Sequence, residues 1–101
     1  MKYKKLGNSD IKVSKLCLGT MTFGEQNSIK ESFDLMNYAF EKGINFIDTA
    51  EIYPIYPKKK TSGKSEEIIG DWIKEKKNRQ KVIIASKIAS GHPKGVGATG
   101  L

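Results

Sequence analysis

The sequence predicts an α/β fold in which a small β-hairpin precedes a βαβαβ unit. Three short apolar runs, of the kind found in buried parallel strands, lie at residues 16–19, 44–47 and 82–86. Two segments with helical spacing of apolar residues, 28–43 and 65–77, separate these runs. Because strands and helices alternate, we expect the three strands to form one parallel sheet with right-handed crossovers.

The hairpin is expected within residues 1–15. Tyr3–Leu6 and Ile11–Val13 have a strand-like composition, and the turn formers Gly7–Asp10 separate them. The basic start of the chain precedes apolar stretches of four residues or fewer, too short for a signal-peptide core or a membrane span. We therefore expect a soluble protein without a membrane partner.

The first parallel strand, at residues 16–19, contains the single cysteine of the chain, Cys17. Its apolar neighbours predict a reduced, buried thiol in a strand covered on both faces, and they favour a cytoplasmic location. Ser28 and Glu31 have capping-box spacing, so the first helix is expected to begin there. Gly43 is expected to end it in a left-handed conformation. The predicted buried positions of this helix are Ile29, Phe33, Met36 and Phe40.

The second strand, at residues 44–47, meets the carboxylate of Asp48, and a long polar loop follows. Ser65 is expected to cap the second helix, whose first turn carries two acids that suit the helix dipole. The predicted buried stripe of that helix comprises Ile68, Ile69, Trp72 and Ile73. The third strand, at residues 82–86, is rich in branched side chains and ends at Lys87.

Two sheet designs compete for this order of elements. A doubly wound sheet normally has a glycine-rich phosphate turn after its first strand, but residues 19–24 lack the dinucleotide pattern. A (β/α)₈ barrel fits better, because Gly19, Asp48 and Lys87 each close a strand and barrel enzymes gather their chemistry at those strand ends. Whole barrels have roughly 250 residues. We therefore expect this chain to form a partial barrel with three strands, truncated before strand 4.

Residues 16–89 are expected to hold the three strands and two helices, and residues 90–101 a glycine-rich loop or a disordered tail. His92 and the G-x-G-x-x-G match at 95–100 lie in that tail, where neither has the context its function requires. The net charge of +7 comes largely from lysines that no aromatic residue interleaves. This pattern favours a solvated surface and no nucleic-acid partner.

The candidate catalytic group consists of Asp48, Tyr53 and Lys87. A phenol donates a proton poorly at neutral pH unless a nearby ammonium favours the phenolate. We expect Lys87 to supply that charge, a buried Asp48 to keep the lysine protonated, and Tyr53 to be the general acid toward a carbonyl oxygen. Taken singly, each residue also has a structural interpretation: Asp48 could cap a turn and Lys87 could begin a loop.

Several segments closely resemble the aldo-keto reductase superfamily. They are LGTMTFG at 18–24, GINFIDTAEIY at 43–53, Ser65-Glu66 and IASK at 84–87. GEQNS at 24–28 and YPIYP at 53–57 are most similar to the bacterial Tas-type branch of that superfamily. The resemblance covers about residues 1–89.

The resemblance implies a (β/α)₈ barrel that reduces an aldehyde or ketone with NADP(H), with Tyr53 as acid and Asp48 and Lys87 as its partners. It places Gly19, Thr20 and Asp48 near the cofactor and implies no metal ligand. The family's fourth catalytic group is a histidine after the fourth strand, and we expect this chain to end before it. The chain alone is therefore expected to be inactive.

Two alternatives to a reductase stay open. The resemblance extends to potassium-channel β subunits, which would make the protein a cofactor-sensing regulatory subunit. A half-barrel could instead act with a complementary fragment, because a partial barrel leaves strand edges unpaired and open to self-association. The reductase hypothesis requires a small carbonyl substrate, whose identity the sequence does not predict.

Overall fold

A computed structural model describes residues 1–88. Its elements are β1 (Tyr3–Lys5), β2 (Lys12–Ser14), β3 (Leu18–Gly19), α1 (Ile29–Glu41), β4 (Phe46–Asp48), α2 (Lys64–Lys76), a 3-10 turn (Arg79–Lys81) and β5 (Ile83–Ala85). The predicted hairpin followed by βαβαβ is confirmed. In this part of the chain, neither helix has the length and apolarity needed to cross a bilayer. The expectations for His92 and residues 90–101 lie outside the described residues.

Hydrogen bonds connect the antiparallel hairpin of β1 and β2 to the segment that precedes β4. The Ser14 N–H donates to the Asn45 side-chain oxygen at 2.7 Å, and the Asn45 N–H donates to the Ser14 hydroxyl at 3.1 Å. The Tyr3 hydroxyl donates to the Gly43 carbonyl at 2.6 Å. Gly43 has the predicted left-handed conformation, with φ of 90°. A Cβ there would lie 2.9 Å from the Cβ of Met1, so the docked hairpin also requires glycine.

Helix α1 begins with the predicted capping box. The Ser28 hydroxyl accepts from the Glu31 N–H at 3.1 Å, and the Glu31 carboxylate accepts from the Ser28 N–H at 2.9 Å. Met36 is buried and Phe33 packs against the core, as expected. Ile29 is 63% exposed, so the predicted stripe is wrong at its first position. The contacts of α1 with the core begin only at Phe33, one turn further along the helix.

Helix α2 begins differently from the prediction. Its N-cap is Gly63, which is left-handed with φ of 93°, and not Ser65. Ser65 is fully buried, and its hydroxyl donates to the Phe23 carbonyl at 2.8 Å. The hydroxyl therefore ties α2 to the loop after β3 instead of capping the helix. The predicted stripe is confirmed, with Ile68, Ile69 and Trp72 buried and Ile73 partly buried.

The parallel sheet has the strand order β3-β4-β5. Its register aligns Leu18, Ile47 and Ile84 in one row. This row belongs to the core that the sheet shares with the helices. The other members of that core are Phe23, Phe33, Met36, Phe40, Ile68, Ile69, Trp72, Ile73 and Val82. The Trp72 indole N–H donates to the Asn37 side chain at 2.8 Å, which links the two helices.

The opposite face of the sheet is open. Because side chains alternate along a strand, this open face carries Cys17, Gly19, Phe46, Asp48, Ile83 and Ala85. None of these six residues is buried. Cys17 is exposed, so the predicted buried thiol and the predicted strand covered on both faces are wrong. Both predictions assumed packing on two sides of the sheet, whereas residues 1–88 supply helices on one side.

Candidate active site

The candidate site lies at the carboxyl edge of the parallel sheet, where Gly19, Asp48 and Ala85 stand in register. Backbone pairing continues beyond the strands. The Thr49 N–H donates to the Ala85 carbonyl at 2.8 Å, and the Glu51 N–H donates to the Lys87 carbonyl at 3.0 Å. These bonds hold the backbone of Lys87 beside the segment that follows β4. The sequence-predicted convergence of strand ends therefore occurs.

The Lys87 ammonium connects the three candidate catalytic residues. It donates to the Asp48 carboxylate at 2.8 Å and to the Thr49 carbonyl at 2.8 Å. It also lies 5.0 Å from the centroid of the Tyr53 ring. The hydrogen bond to Asp48 raises the pKa of Lys87, desolvation opposes the rise, and Tyr53 adds to it. The arrangement favours a protonated lysine beside a phenol.

Solvent reaches the site. The side chains of Asp48 and Lys87 are 41% and 48% exposed, so the prediction of a buried Asp48 is wrong. Asp48 lies on the open face, where residues 1–88 supply no cover. An ion pair this exposed adds little to folding stability, because water and salt screen it. Its effect is to orient the ammonium.

Loop contacts position the partly buried Tyr53. Its N–H donates to the Ala50 carbonyl at 3.1 Å, and its carbonyl accepts from the Gly63 N–H at 2.9 Å. The second bond joins the loop to the N-cap of α2. The neighbouring Tyr56 has the opposite environment, with 81% of its surface exposed. The two tyrosines therefore differ in their environment: Tyr53 is partly buried beside Lys87, and Tyr56 faces solvent.

The two other residues predicted near a cofactor differ in what they offer. Gly19 is exposed, and no atom lies within 4 Å of the position that a Cβ would occupy. Its backbone therefore borders open space. Thr20 is fully buried, and its hydroxyl donates to the Asp48 carbonyl at 3.0 Å. That hydroxyl is bonded within the protein and links β3 to the end of β4.

Sequence reasoning missed three contributors to the site. The Thr49 carbonyl accepts from Lys87, but a backbone acceptor leaves no mark in the sequence. The Ser86 hydroxyl donates to the carboxylate of Glu66, a contact that neither the helix pattern nor the Ser65-Glu66 motif predicts. Cys17 lies on the same open face, where partial burial and the charge of Asp48 raise the pKa of its thiol. The spatial relation of these groups arises only when β3, β4 and β5 pair.

Comparison with known proteins gives a consistent result. The family model described as "Aldo/keto reductase family" matches residues 15–100. Protein tas of Escherichia coli strain K12 is 46% identical over 89 residues, which make up 88% of this chain and 26% of that protein. A probable voltage-gated potassium channel subunit beta of Arabidopsis thaliana is 39% identical over 95 residues, 92% of this chain and 27% of that protein. The chain thus spans about a quarter of the length of these curated relatives.

Among solved structures, the holo form of an aldo-keto reductase from Bacillus halodurans is similar, with a TM-score of 0.69 and 34% identity. The match covers 85% of this chain and 25% of that one. The predicted fold class, the opening part of a (β/α)₈ barrel, is thereby confirmed. Residues 1–88 themselves form a hairpin and an open three-stranded sheet.

Proposed function

Because the chain belongs to the aldo/keto reductase family, we propose that the protein is an NADP(H)-dependent oxidoreductase that reduces the carbonyl group of a small aldehyde or ketone. One observation carries the proposal. The Lys87 ammonium is bonded to Asp48 at 2.8 Å and stands 5.0 Å from the Tyr53 ring. A cation at this position would stabilise the negative charge left on the phenol oxygen after proton donation.

In the proposed mechanism, the Tyr53 hydroxyl donates its proton to the substrate carbonyl oxygen. The Lys87 ammonium stabilises the phenolate that remains, since opposite charges at this separation attract. Asp48 and the Thr49 carbonyl accept two of the ammonium's hydrogen bonds and so hold its position. Tyr53 is therefore the acid, Lys87 stabilises its phenolate, and Asp48 positions Lys87.

The cofactor assignment uses Gly19, Thr20 and Asp48. NADP(H) would supply the hydride for carbonyl reduction. The exposed backbone of Gly19 and the carboxylate of Asp48 lie at the same edge of the sheet, where they would border the nicotinamide. Thr20 would act through its backbone position, because its hydroxyl is bonded to the Asp48 carbonyl. The holo form of the Bacillus halodurans relative supports the presence of a cofactor site in this family.

Tyr53→Phe tests the general-acid role of this tyrosine in the protein as encoded, with any residues that follow Leu101. We expect kcat for carbonyl reduction to fall by at least about 100-fold, because the general acid is removed. Cofactor affinity, measured by fluorescence titration, should change less than about twofold. Tyr56→Phe is the matched control and should retain activity. Unchanged turnover in Tyr53→Phe would remove this residue from the acid role.

We also propose that the 101-residue chain by itself does not turn over substrate. Residues 1–88 provide Asp48, Tyr53 and Lys87 but contain no histidine to complete the family's set. The open face beside Asp48 also admits water to the site. Sustained NADPH oxidation by the purified 101-residue chain, dependent on an added aldehyde, would contradict this proposal.

The similarity to the Arabidopsis thaliana channel subunit favours a second candidate, a cofactor-sensing regulatory subunit. This candidate predicts a stable complex between the encoded protein and a membrane channel. Recovery of such a complex by affinity purification, with negligible turnover, would favour it over the enzyme. Steady carbonyl reduction by free protein would favour the enzyme.

A third candidate, a half-barrel that acts with a complementary fragment, is favoured by a groove between α2 and β5. The groove has a volume of about 290 Å³ and is lined by Thr49, Glu66, Ile69, Gly70, Ile73, Arg79 and Ile84. The unpaired edge of β5 offers backbone hydrogen bonds beside it. Mixing the chain with the remaining barrel segment of a relative would exclude this candidate if neither association nor activity followed.

A further inference from the structure

A basic groove lies where α2 ends and the 3-10 turn begins. It has a volume of about 510 Å³ and is lined by Ile73, Lys74, Lys77, Arg79, Gln80 and Lys81. We propose that this basic groove is a binding site for the phosphate chain of an oligophosphate anion. The site is independent of the proposed reductase chemistry.

Within residues 1–88, the four cations of the basic groove form no ion pair. Four of its six lining residues are cationic and none is acidic. Within residues 1–88, the five ion pairs involve other lysines and leave these four cations without a carboxylate partner. All four are exposed, so their charges face solvent and are available to an anion. Mutual repulsion among them makes an anion the favoured occupant.

Two local features position cations at the basic groove before an anion binds. The Arg79 guanidinium donates to the Val82 carbonyl at 3.1 Å, which restricts its orientation before any ligand arrives. Lys77 is left-handed, with φ of 52°, at the C-cap of α2, where glycine is the favoured residue. A lysine therefore occupies a position at which helix stability alone selects glycine. Its conformation places a cation at the mouth of the groove.

The dipole of α2 opposes anion binding, since the C-terminal end of a helix carries about half a negative charge. Four full positive charges exceed that partial charge, so the residues that line the basic groove attract an anion despite the dipole. The dipole also explains why the cations are tolerated together. They stabilise the helix end in the absence of ligand.

A phosphate chain fits the groove better than a nucleoside or a simple carboxylate. The planar guanidinium of Arg79 matches the paired oxygens of a phosphate, and lysines bind phosphate as point charges. The lining contains no aromatic ring on which a base could stack. Recognition should therefore depend on the phosphates alone. Tripolyphosphate and ATP should bind with similar affinity, and citrate should bind more weakly.

The basic groove and the Lys87 ammonium lie toward opposite ends of the sheet, and Arg79 and Ile73 also line the groove between α2 and β5. Helix α2 runs antiparallel to the strands, so its last residues return to the edge from which β5 starts. Asp48 and Lys87 lie at the other edge, after β4 and β5. An oligophosphate can therefore occupy the groove without contact with Tyr53.

The test uses the 101-residue chain and tripolyphosphate as the probe, with affinity measured by calorimetry at low and high salt. The double variant Lys77→Gln/Lys81→Gln should raise Kd about tenfold or more, because two contacting charges are lost. The matched control Lys59→Gln/Lys60→Gln removes the same charge from exposed positions outside the groove. It should change Kd less than about threefold. An equal effect of both variants would show general attraction to a basic protein and overturn the proposal.

Footprinting of the unmodified sequence provides a second measurement that does not depend on how the variants fold. Tripolyphosphate should protect Lys74, Lys77 and Lys81 from acetylation and leave Lys59 and Lys60 reactive. Uniform protection, or the absence of saturable binding, would refute the site. ATP binding much tighter than tripolyphosphate would overturn the assignment to a phosphate chain. Equally tight binding of citrate would overturn it too.

Discussion

At the scale of single residues, the protonation of Lys87 depends on Asp48, whose hydrogen bond raises the pKa of the ammonium. In an NMR titration, we expect the Lys87 midpoint to lie above the ordinary value of 10.5. It should shift down in Asp48→Asn, because the ammonium loses its charged acceptor. Identical midpoints in the two proteins would show that Asp48 does not favour the protonated form of Lys87.

The same pair gives the folding stability a defined pH dependence. Since the folded-state pKa of Lys87 is raised, its contribution is complete below the unfolded-state pKa and is lost as pH rises through the folded-state value. The contribution is small, because both side chains are well exposed. The pair therefore affects the position of the Lys87 ammonium more than it affects folding stability.

Lys77→Gly tests the strain of the left-handed residue at the C-cap of α2. Its left-handed backbone is strained for a residue with a Cβ. Lys77→Gly should raise the free energy of unfolding by about 0.5–1 kcal/mol in urea denaturation, with the strain relieved and part of the gain lost to backbone entropy. Lys74→Gly is the control within α2 and should lower it by about 1 kcal/mol. A loss of stability in Lys77→Gly would contradict the strain assigned to this residue.

At the scale of elements, the start of α1 depends on the capping box of Ser28 and Glu31. Ser28→Ala should lower the free energy of unfolding by about 1 kcal/mol, since one orphan amide loses its acceptor. Glu31→Gln keeps an acceptor at the third helical position and should cost much less. Thermal unfolding followed by circular dichroism measures both variants. A loss in Glu31→Gln as large as that in Ser28→Ala would show that the charge of Glu31 contributes as much as the Ser28 cap.

The elements predictable from sequence are those with local causes. The capping box and the left-handed Gly43 depend on a few consecutive residues, and both are confirmed. Ser65 was wrongly predicted to be a cap because its hydroxyl bonds to Phe23, 42 residues earlier in the chain. Cys17 was wrongly predicted to be buried because an apolar run does not show how many faces of its strand are covered. Both errors arose because the environment of the residue depends on segments that are distant in the sequence.

The candidate site shows the same division. Asp48 and Lys87 could be placed at one edge because parallel strands end together, and the structure joins them at 2.8 Å. The Thr49 carbonyl and the Ser86–Glu66 bond could not be predicted, since they require the side-chain and backbone geometry of packed elements. Sequence periodicity locates strand ends, but it does not specify which acceptors surround an ammonium.

At the scale of the whole molecule, the open face of the sheet and the free edge of β5 favour self-association. We propose that the 101-residue chain forms oligomers as concentration rises, because Phe46 and Ile83 lie on that face without full burial. Ile83→Lys should reduce the association seen by sedimentation velocity, since a charged edge strand resists pairing. Ile29→Lys is the control, because Ile29 is exposed on α1 and lies away from the sheet edge. Equal sedimentation of the two variants would exclude the β5 edge as the contact.

During synthesis, the hairpin emerges before Asn45, the residue that anchors it. Ser14 and Asn45 are separated by 31 positions, so the hairpin leaves the ribosome well before its anchor exists. At about 5–20 residues per second, that interval lasts roughly 2 to 6 s. Two strands alone are only marginally stable in water. The hairpin therefore stays without its anchor until Asn45 has emerged, and a nascent chain arrested before Asn45 should leave residues 1–15 open to proteolysis.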